Sequence, residues 1–293
     1  MANEPNWRQF ERQVHAELEG HYPGSVIRHD VKLPGSLSGA QRQIDIIEED
    51  LPGGSVRTAI DAKLHARKID VKEVESFIGL LHDTEVQRGM MVSATGYTDA
   101  ALTRAFRDDV DLDLDILNLD ELRQWQSAGA IPYAGRNAVL LPAPFGWVVD
   151  GQRHPGVLAR LYRRGLTFDE AAGQREFMYV NLWDRRPPAD SLEALLVQQE
   201  RDIRSHSPNT VISMRDVPTR FGSRSCIRRA DIVDYPTVEI TGFIEFPKAV
   251  FFSVLFTPLV VERRNVRKLE YPLKKVLPIS VRHAAQAAAP GGR

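Results

Sequence analysis

The sequence predicts a mixed α/β sheet flanked by helices, followed by a second α+β domain with an antiparallel sheet. Three observations predict it. Residues 43–63 alternate in period 2 about a Leu51-Pro52-Gly53-Gly54 turn, which is hairpin chemistry. Helical apolar spacings precede the hairpin and then alternate with short apolar runs as far as residue 126. Beyond residue 136 most of the pattern is strand-like, with a helix inside it and one closing it.

In order, Trp7, Phe10, Val14 and Leu18 mark a helix over residues 6–20, and Val26–Leu33 is a strand. In the hairpin, folding about Gly53 sets Asp45 opposite Asp61, and Asp61 shares a face with Lys63. Ile44, Ile46, Ile60, Ala62 and Leu64 take the other face, as core. Val71–Thr84 is an amphipathic helix through Val74, Phe77, Ile78 and Leu81. Met90–Ala94 is a short buried strand. Thr98–Phe106 is a helix capped by Thr98 and Asp99, Leu112–Leu117 a strand, and Asp120–Gln126 a helix. Gly, Pro and Ala interrupt the pattern over residues 127–136, so the domains expected are 1–130 and 136–282, with a disordered tail at 283–293.

In the second domain, residues 139–150 are strand and turn, and Phe177–Trp183 is a strand. Asp190–Arg204 is a helix opened by a capping box of Asp190 and Glu193. Val211–Met214, Ser225–Ile232, Thr237–Phe246 and Ala249–Phe256 are strands, the last two a hairpin, and Arg263–Val276 closes as a helix.

Two carboxylates and a lysine on one strand surface have a chemical logic. Asp45 and Asp61, with a backbone carbonyl and waters, make an oxygen-only site suited to Mg²⁺. Lys63 would position water or neutralise charge growing on a phosphate. A strand salt bridge is the plain structural alternative. No Gly-x-Ser-x-Gly elbow surrounds Ser93, no second histidine at ligand spacing joins His82, and no Walker-type lysine motif supports a nucleotide cofactor.

Around these residues the chain resembles the PD-(D/E)xK nuclease superfamily, and within it the Mrr-type restriction endonucleases, over about residues 5–125. The segment Trp7-Arg8-Gln9-Phe10-Glu11 is similar to the family's first helix, whose glutamate often joins the metal site. Gly39 to Asp45 resembles the glycine-containing approach to the first catalytic aspartate, Asp61-Ala62-Lys63 the (D/E)xK element, and Gly89 to Ala101 the next strand and helix. Mrr-type enzymes often carry glutamine or glutamate where this chain has Asp61. The resemblance implies a restriction-endonuclease-like core and a DNA endonuclease dependent on Mg²⁺, with Mn²⁺ as substitute. It implies metal ligation by Asp45, Asp61 and Glu11, water assistance by Lys63, and a role in restriction of foreign or modified DNA. A repair or recombination nuclease, a non-catalytic binding module on the same fold, and an interaction role centred on the second domain remain open alternatives. Cutting both strands takes two such sites, so a homodimer is expected. The second domain faintly resembles PsbP-like domains through Phe145-Gly146-Trp147 and its aromatic hairpin.

For DNA contact the candidates are Arg42, His65, Arg67 and Lys72, with His65 and Arg67 following Lys63 along its strand face. A plain exposed strand end or solvated lysine is the bland account of the last three. Arg224 and Arg228 read as a solvated strand face, with phosphate or partner binding by Arg220, Arg224, Arg228 and Arg229 as the alternative. Arg263, Arg264, Arg267, Lys268, Lys274 and Lys275 read as an exposed basic helix face, with DNA contact as the alternative. Trp147, Trp183, Phe251 and Phe252 read as core.

Net charge is −1, but residues 1–130 carry −9 and residues 131–293 carry +8. The acidic half therefore needs help with a polyanion, and the basic half either grips DNA or docks on the acidic half. The one cysteine, Cys226, excludes an intrachain disulfide. No run approaches the ~20 apolar residues of a membrane span, and the first residues lack a basic-then-apolar signal pattern. The expectation is a cytoplasmic protein without a membrane partner.

Overall fold

A computed structural model of the chain describes residues 6–22, 25–49, 57–107, 112–124, 128–152, 154–187, 190–232 and 238–280. The Leu51–Gly54 turn, the acidic residues 108–111 and the 283–293 tail lie outside the described residues. The chain divides into two compact units, Met1–Trp125 and Gln126–Arg293.

The first unit runs α1 (Asn6–His21), β1 (Val26–Pro34), β2 (Gln41–Glu49), β3 (Arg57–Lys63), α2 (Val71–Asp83), β4 (Arg88–Ser93), α3 (Asp99–Ala105), β5 (Asp113–Asn118) and α4 (Leu119–Arg123). Its five strands form one mixed sheet in chain order. β1, β2 and β3 pair antiparallel, whereas β3–β4 and β4–β5 are parallel. Parallel neighbours need crossovers, which α2 and α3 supply. The central strands are covered on both faces, and so read as near-continuous apolar runs, Ala59-Ile60 and Met90-Met91-Val92.

α2 begins where Asp70 accepts from Lys72 N and Glu73 accepts from Asp70 N, a reciprocal cap that satisfies otherwise orphaned donors. Its Val74, Phe77, Ile78 and Leu81 are buried against the sheet. Burying a ring such as Phe77 contributes about 1.5–3 kcal/mol. β4 comes so close that a Cβ on Gly89 would stand 2.4 Å from Leu81 Cδ1 and 2.8 Å from Phe77 Cε1, so a side chain there would force Leu81 and Phe77 to shift. α3 starts at Thr98, whose hydroxyl accepts from Ala101 N. α4 starts one residue earlier than expected, because Asn118, the last residue of β5, caps it, and it ends at Arg123.

The β2–β3 register sets Ile46 opposite Ile60 and Ile47 opposite Ala59, as folding about Gly53 requires. One detail of facing differs from the sequence reading. Ile44 shares a buried cluster with Ile47, three residues away, so strict alternation breaks between them. The break falls at Asp45, beside Asp30, which adopts the left-handed φ of 49°. Leu64 is not core but 41% exposed, because β3 ends at Lys63.

The second unit contains β6 (Gly129–Ala130), β7 (Tyr133–Ala134), β8 (Asn137–Pro142), β9 (Trp147–Asp150), β10 (Ala159–Arg163), α5 (Phe168–Gly173), β11 (Phe177–Asp184), α6 (Leu192–His206), β12 (Val211–Asp216), β13 (Arg224–Asp231), β14 (Val238–Glu245), β15 (Ala249–Thr257), α7 (Glu262–Lys275) and β16 (Leu277–Ser280). A seven-stranded antiparallel sheet has the order β12-β13-β14-β15-β11-β10-β9, and β16, β8 and β6 build a smaller sheet with β7. β10, α5 and β16 were not foreseen, being too short to show a period. α6 is capped by Ser191, which accepts from Ala194 N, rather than by an Asp190–Glu193 box.

The basic residues of this unit divide by depth. Arg228 is buried, not on a solvated face, and donates to Gln199, Glu239 and Thr241. Arg264 and Lys268 are buried too. Arg264 pairs with Glu176, and Lys268 Nζ donates to Phe145 O at 2.9 Å, so α7 presents no continuous basic face. A helix packed along one side must bury whatever its sequence puts there, and these cations are kept by partners. Trp147 and Phe251 are core, while Trp183 and Phe252 are half-buried.

Candidate active site

Asp45 and Asp61 lie one residue beyond the last β2–β3 pair, Ile46 with Ile60, and β3 ends two residues after Asp61. Asp45 Oδ2 accepts from Ala62 N at 3.1 Å. Asp45 and Asp61 lie within hydrogen-bonding reach of one another, a bond that forms only when one of them holds a proton. Lys63 Nζ donates to Asp61 Oδ1 at 2.8 Å.

Burial pushes the Asp61 carboxyl up to about 6, Lys63 opposes that, and the negative charge of Asp45 adds to it. Across from the pair, α1 presents Glu11. Its carboxyl is raised to about 7, by burial first and then by Asp45 and Asp30, with Arg8 opposing and Asp61 adding less. Burial and neighbouring carboxylates raise both Asp61 and Glu11, which makes a place where a cation is favourable. The donors are all hard oxygens, which suits Mg²⁺ or Mn²⁺ rather than a thiophilic metal. As the side chains stand, no group of three or more His, Cys, Asp and Glu among the described residues is close enough to hold an ion. Two of the three expected ligands are therefore adjacent, and Glu11 faces them without joining them.

These residues open on a cleft of about 210 Å³ between β2, β3 and α2, lined by Gln43, Asp45, Asp61, Lys63, Glu73 and Phe77 among others. The remaining predicted residues are placed less directly. Arg42 also lines the cleft, but its guanidinium pairs with Asp83 at 2.9 Å. His65 and Arg67 are not on the Lys63 strand face. After β3 the chain leaves the sheet, held by Thr95 Oγ1 donating to Arg67 O at 2.7 Å and Ile69 N donating to Gly96 O at 2.9 Å. Arg67 pairs with Asp70 and Glu73. His65 and Lys72 are exposed.

The sequence reading missed Asp83, Gln43 and Glu73. Asp83 accepts from Leu37 N, Ser38 N, Ser38 Oγ and Arg42, and so fixes the loop that leads into β2. The signal was a Gly-Ser-Leu-Ser-Gly loop whose amides needed an acceptor. Its glycine is required, since a Cβ on Gly35 would stand 2.6 Å from Asp83 Oδ2. Gln43 Nε2 donates to Asp30 Oδ1 at 3.1 Å, tying the two strands at the break.

These bonds, those of Ser38 foremost, hold the Asp83 carboxyl below its ordinary value. A depressed carboxylate stabilises the fold fully above its unfolded value, about 3.9, and loses that contribution as pH falls through its folded value. The melting-temperature difference between wild type and Asp83→Asn should therefore be constant from about pH 5 to 8 and shrink below about pH 4. A difference that widens on acidification would refute this role.

Residues 3–126 match the Mrr_cat family model, described as a restriction endonuclease. No curated protein matches the sequence. Among solved structures, the one titled Crystal Structure of Protein of Unknown Function AF1548 is 19% identical over 36% of this chain and 57% of its own, with a TM-score of 0.30. Protein VC1899 from Vibrio cholerae is 19% identical over 42% of this chain and 34% of its own, with a TM-score of 0.31. The match thus spans less than two thirds of either relative. The cyanobacterial PsbP protein (CyanoP) from Synechocystis sp. PCC 6803 is 13% identical over 46% of this chain and 82% of its own, with a TM-score of 0.30. It is a weak neighbour of the C-terminal part. No helix among the described residues is long and apolar enough to cross a membrane.

Proposed function

We propose, for a chain whose residues 3–126 match the restriction endonuclease family, a divalent-metal-dependent endodeoxyribonuclease. The observation that carries this reading is the Asp45–Asp61 carboxylate pair with Lys63 on Asp61, at the wall of a solvent-open cleft. Asp45 and Asp61 would hold Mg²⁺ or Mn²⁺, with Glu11 completing the set through a rotamer change. When bound, the metal supplies Lewis-acid polarisation of the phosphodiester and lowers the pKa of a water.

The chain's own residues do the rest. Lys63 directs the attacking water at phosphorus and offsets charge as the oxygens become more negative. The attack forms one P–O bond and breaks the bond to the leaving sugar oxygen, which takes a proton from solvent. Asp83 and the Arg67–Asp70–Glu73 ion pairs hold the two loops that border the cleft, so the carboxylates meet the phosphate with little rearrangement.

The biological role that best suits this chemistry is restriction of foreign or modified DNA in the cytoplasm, with the second unit as an accessory domain. Cutting both strands takes two sites, so two copies act together. The test is incubation of unmodified and methylated supercoiled plasmid with Mg²⁺, Mn²⁺ or EDTA. Nicked or linear product with either metal and none with EDTA is expected. Intact plasmid on every substrate with both metals would reject the reading, and equal cutting of methylated and unmethylated DNA would remove the role in reading modification.

A further inference from the structure

The two faces of the seven-stranded sheet are covered differently. One packs Leu161, Met178, Val180, Ile240 and Leu255 in a core with Leu269 and Leu273 of α7. The other is covered at one end by α6, where Cys226, Phe243 and Val250 meet Leu192, Leu195 and Leu196. At the opposite end α5 lies against β10 and β11. Along this face runs a row of half-buried aromatic and cationic side chains, Arg160 and Tyr162 on β10, Phe177 and Tyr179 on β11, and Phe256 on β15; Tyr162 and Phe177 meet Phe168 of α5 edge-on at 6.0 and 5.2 Å. Period-2 alternation brings them to one face, and the register pairs Phe177 with Phe256 and Tyr162 with Phe177.

The rings are layered. Phe177 stacks on Phe256 at 5.0 Å, Tyr179 lies tilted 6.1 Å from Phe256, and the Arg160 guanidinium sits 3.7 Å over Phe168. A core would bury such rings fully, as it does Phe251. Here they keep part of their surface in solvent. Aromatic rings and guanidinium planes along an antiparallel sheet accept nucleobases by stacking, whatever the base, because every base has a π face. Of the acids on this face, Asp150 stands opposite Arg160 across β9–β10, Glu239, opposite Phe256, pairs with Arg228, and Glu245 and Asp216, toward the α6 end, pair with Arg185 and Arg224. Charge favours a polyanion on this unit, since residues 126–293 carry +8 against −9 for the first.

We propose that the β10–β11–β15 face between α5 and α6 binds single-stranded DNA, with bases stacked on Tyr179 and Phe256 and Arg160 layered beside them. This rests on the reading of the first unit as a DNA nuclease, and gives that acidic unit a grip on unpaired bases of its substrate.

The test uses the full chain in EDTA and fluorescein-labelled dT and rU oligonucleotides of about 15 nucleotides, within the range of one stacking platform, with a duplex as control. In anisotropy titrations Tyr179→Ala should weaken dT binding roughly tenfold, leave duplex binding unchanged and leave thermal unfolding close to wild type. Because that variant can lose structure, wild type is also photo-crosslinked to a 5-iodouracil oligonucleotide and the adducts mapped by mass spectrometry. Adducts should fall on the peptide carrying Tyr179 or the one carrying Phe256. Unchanged dT affinity in a folded Tyr179→Ala protein, adducts confined to the first unit, or tighter binding of rU than dT would each overturn the proposal. Loss of dT binding with plasmid nicking retained separates the two readings one way. Intact dT binding with no nicking under any metal separates them the other way, by rejecting the nuclease alone.

Discussion

If the proposed nuclease reading holds, Asp61→Ala and Lys63→Ala should each lower metal-dependent plasmid nicking by a factor of about 10²–10³ or more, because each removes a preorganised charge from the proposed phosphate site. The two losses differ in kind. On the proposed reading Asp61→Ala deletes a metal ligand, so its defect should be partly relieved by raising Mn²⁺, and calorimetry should show weaker Mn²⁺ binding. Lys63→Ala leaves the carboxylates and removes their counter-charge, so metal binding should persist or tighten while the rate stays low. Glu11→Gln should cost less than either, since Glu11 faces the pair but does not touch it as placed. The Asp61→Ala, Lys63→Ala double variant should be little slower than the worse single one, because residues that act as one unit are not additive. Full nicking by either single variant would move the chemistry away from this hairpin.

The second large effect belongs to stability. Glu176, Arg264, Asn265 and Thr257 form a buried network. Glu176 pairs with Arg264 and accepts from Asn265 Nδ2 at 2.9 Å, and Asn265 donates to Thr257 Oγ1 at 3.0 Å. Arg264 and Glu176 side chains are 6% and 9% exposed. Glu176→Ala should cost about 3–5 kcal/mol, because it leaves a guanidinium buried without its carboxylate. Replacing both partners, Glu176→Met with Arg264→Leu, should recover much of that, since an apolar pair of similar volume avoids desolvating two charges. Urea unfolding followed by Trp147 fluorescence measures both. A double variant as unstable as Glu176→Ala would mean that the pair itself, not the stranded charge, carries the stability.

The candidate site was more legible than the second unit, for a physical reason. A hairpin's register follows from a short turn and a two-residue period, both local. Asp45, Asp61 and Lys63 could therefore be brought together from residues 43–63 alone, and the observed pairing of Ile46 with Ile60 has the same register. Helix starts at Thr98 and in the Val71 segment were readable because caps act within a turn of the chain. Arg42 was another matter. It was read as a DNA contact, and its partner Asp83 lies 41 residues away on a helix end that shows no special pattern. The break at Asp45 was hidden for a similar reason: Asp30, beside it, belongs to another strand and takes a φ of 49° that no local motif announces.

The basic residues divide the same way. Six cations on one helix looked exposed because helical spacing gives the angle around the axis, not which side is covered. Only packing against the sheet buried Arg264 and Lys268 and left Lys274 and Lys275 outside. Sequence by itself determined the order of elements in the first unit, the hairpin that gathers two carboxylates and a lysine, and the opposite charge of the two halves. These rest on turn chemistry, periodicity and composition, which act over a few residues or none. Tertiary structure alone decided which cations are held by acids, where strand alternation breaks, and which sheet face keeps its aromatic rings half open. Those depend on layers meeting across long separations, where burial makes an unpartnered charge costly.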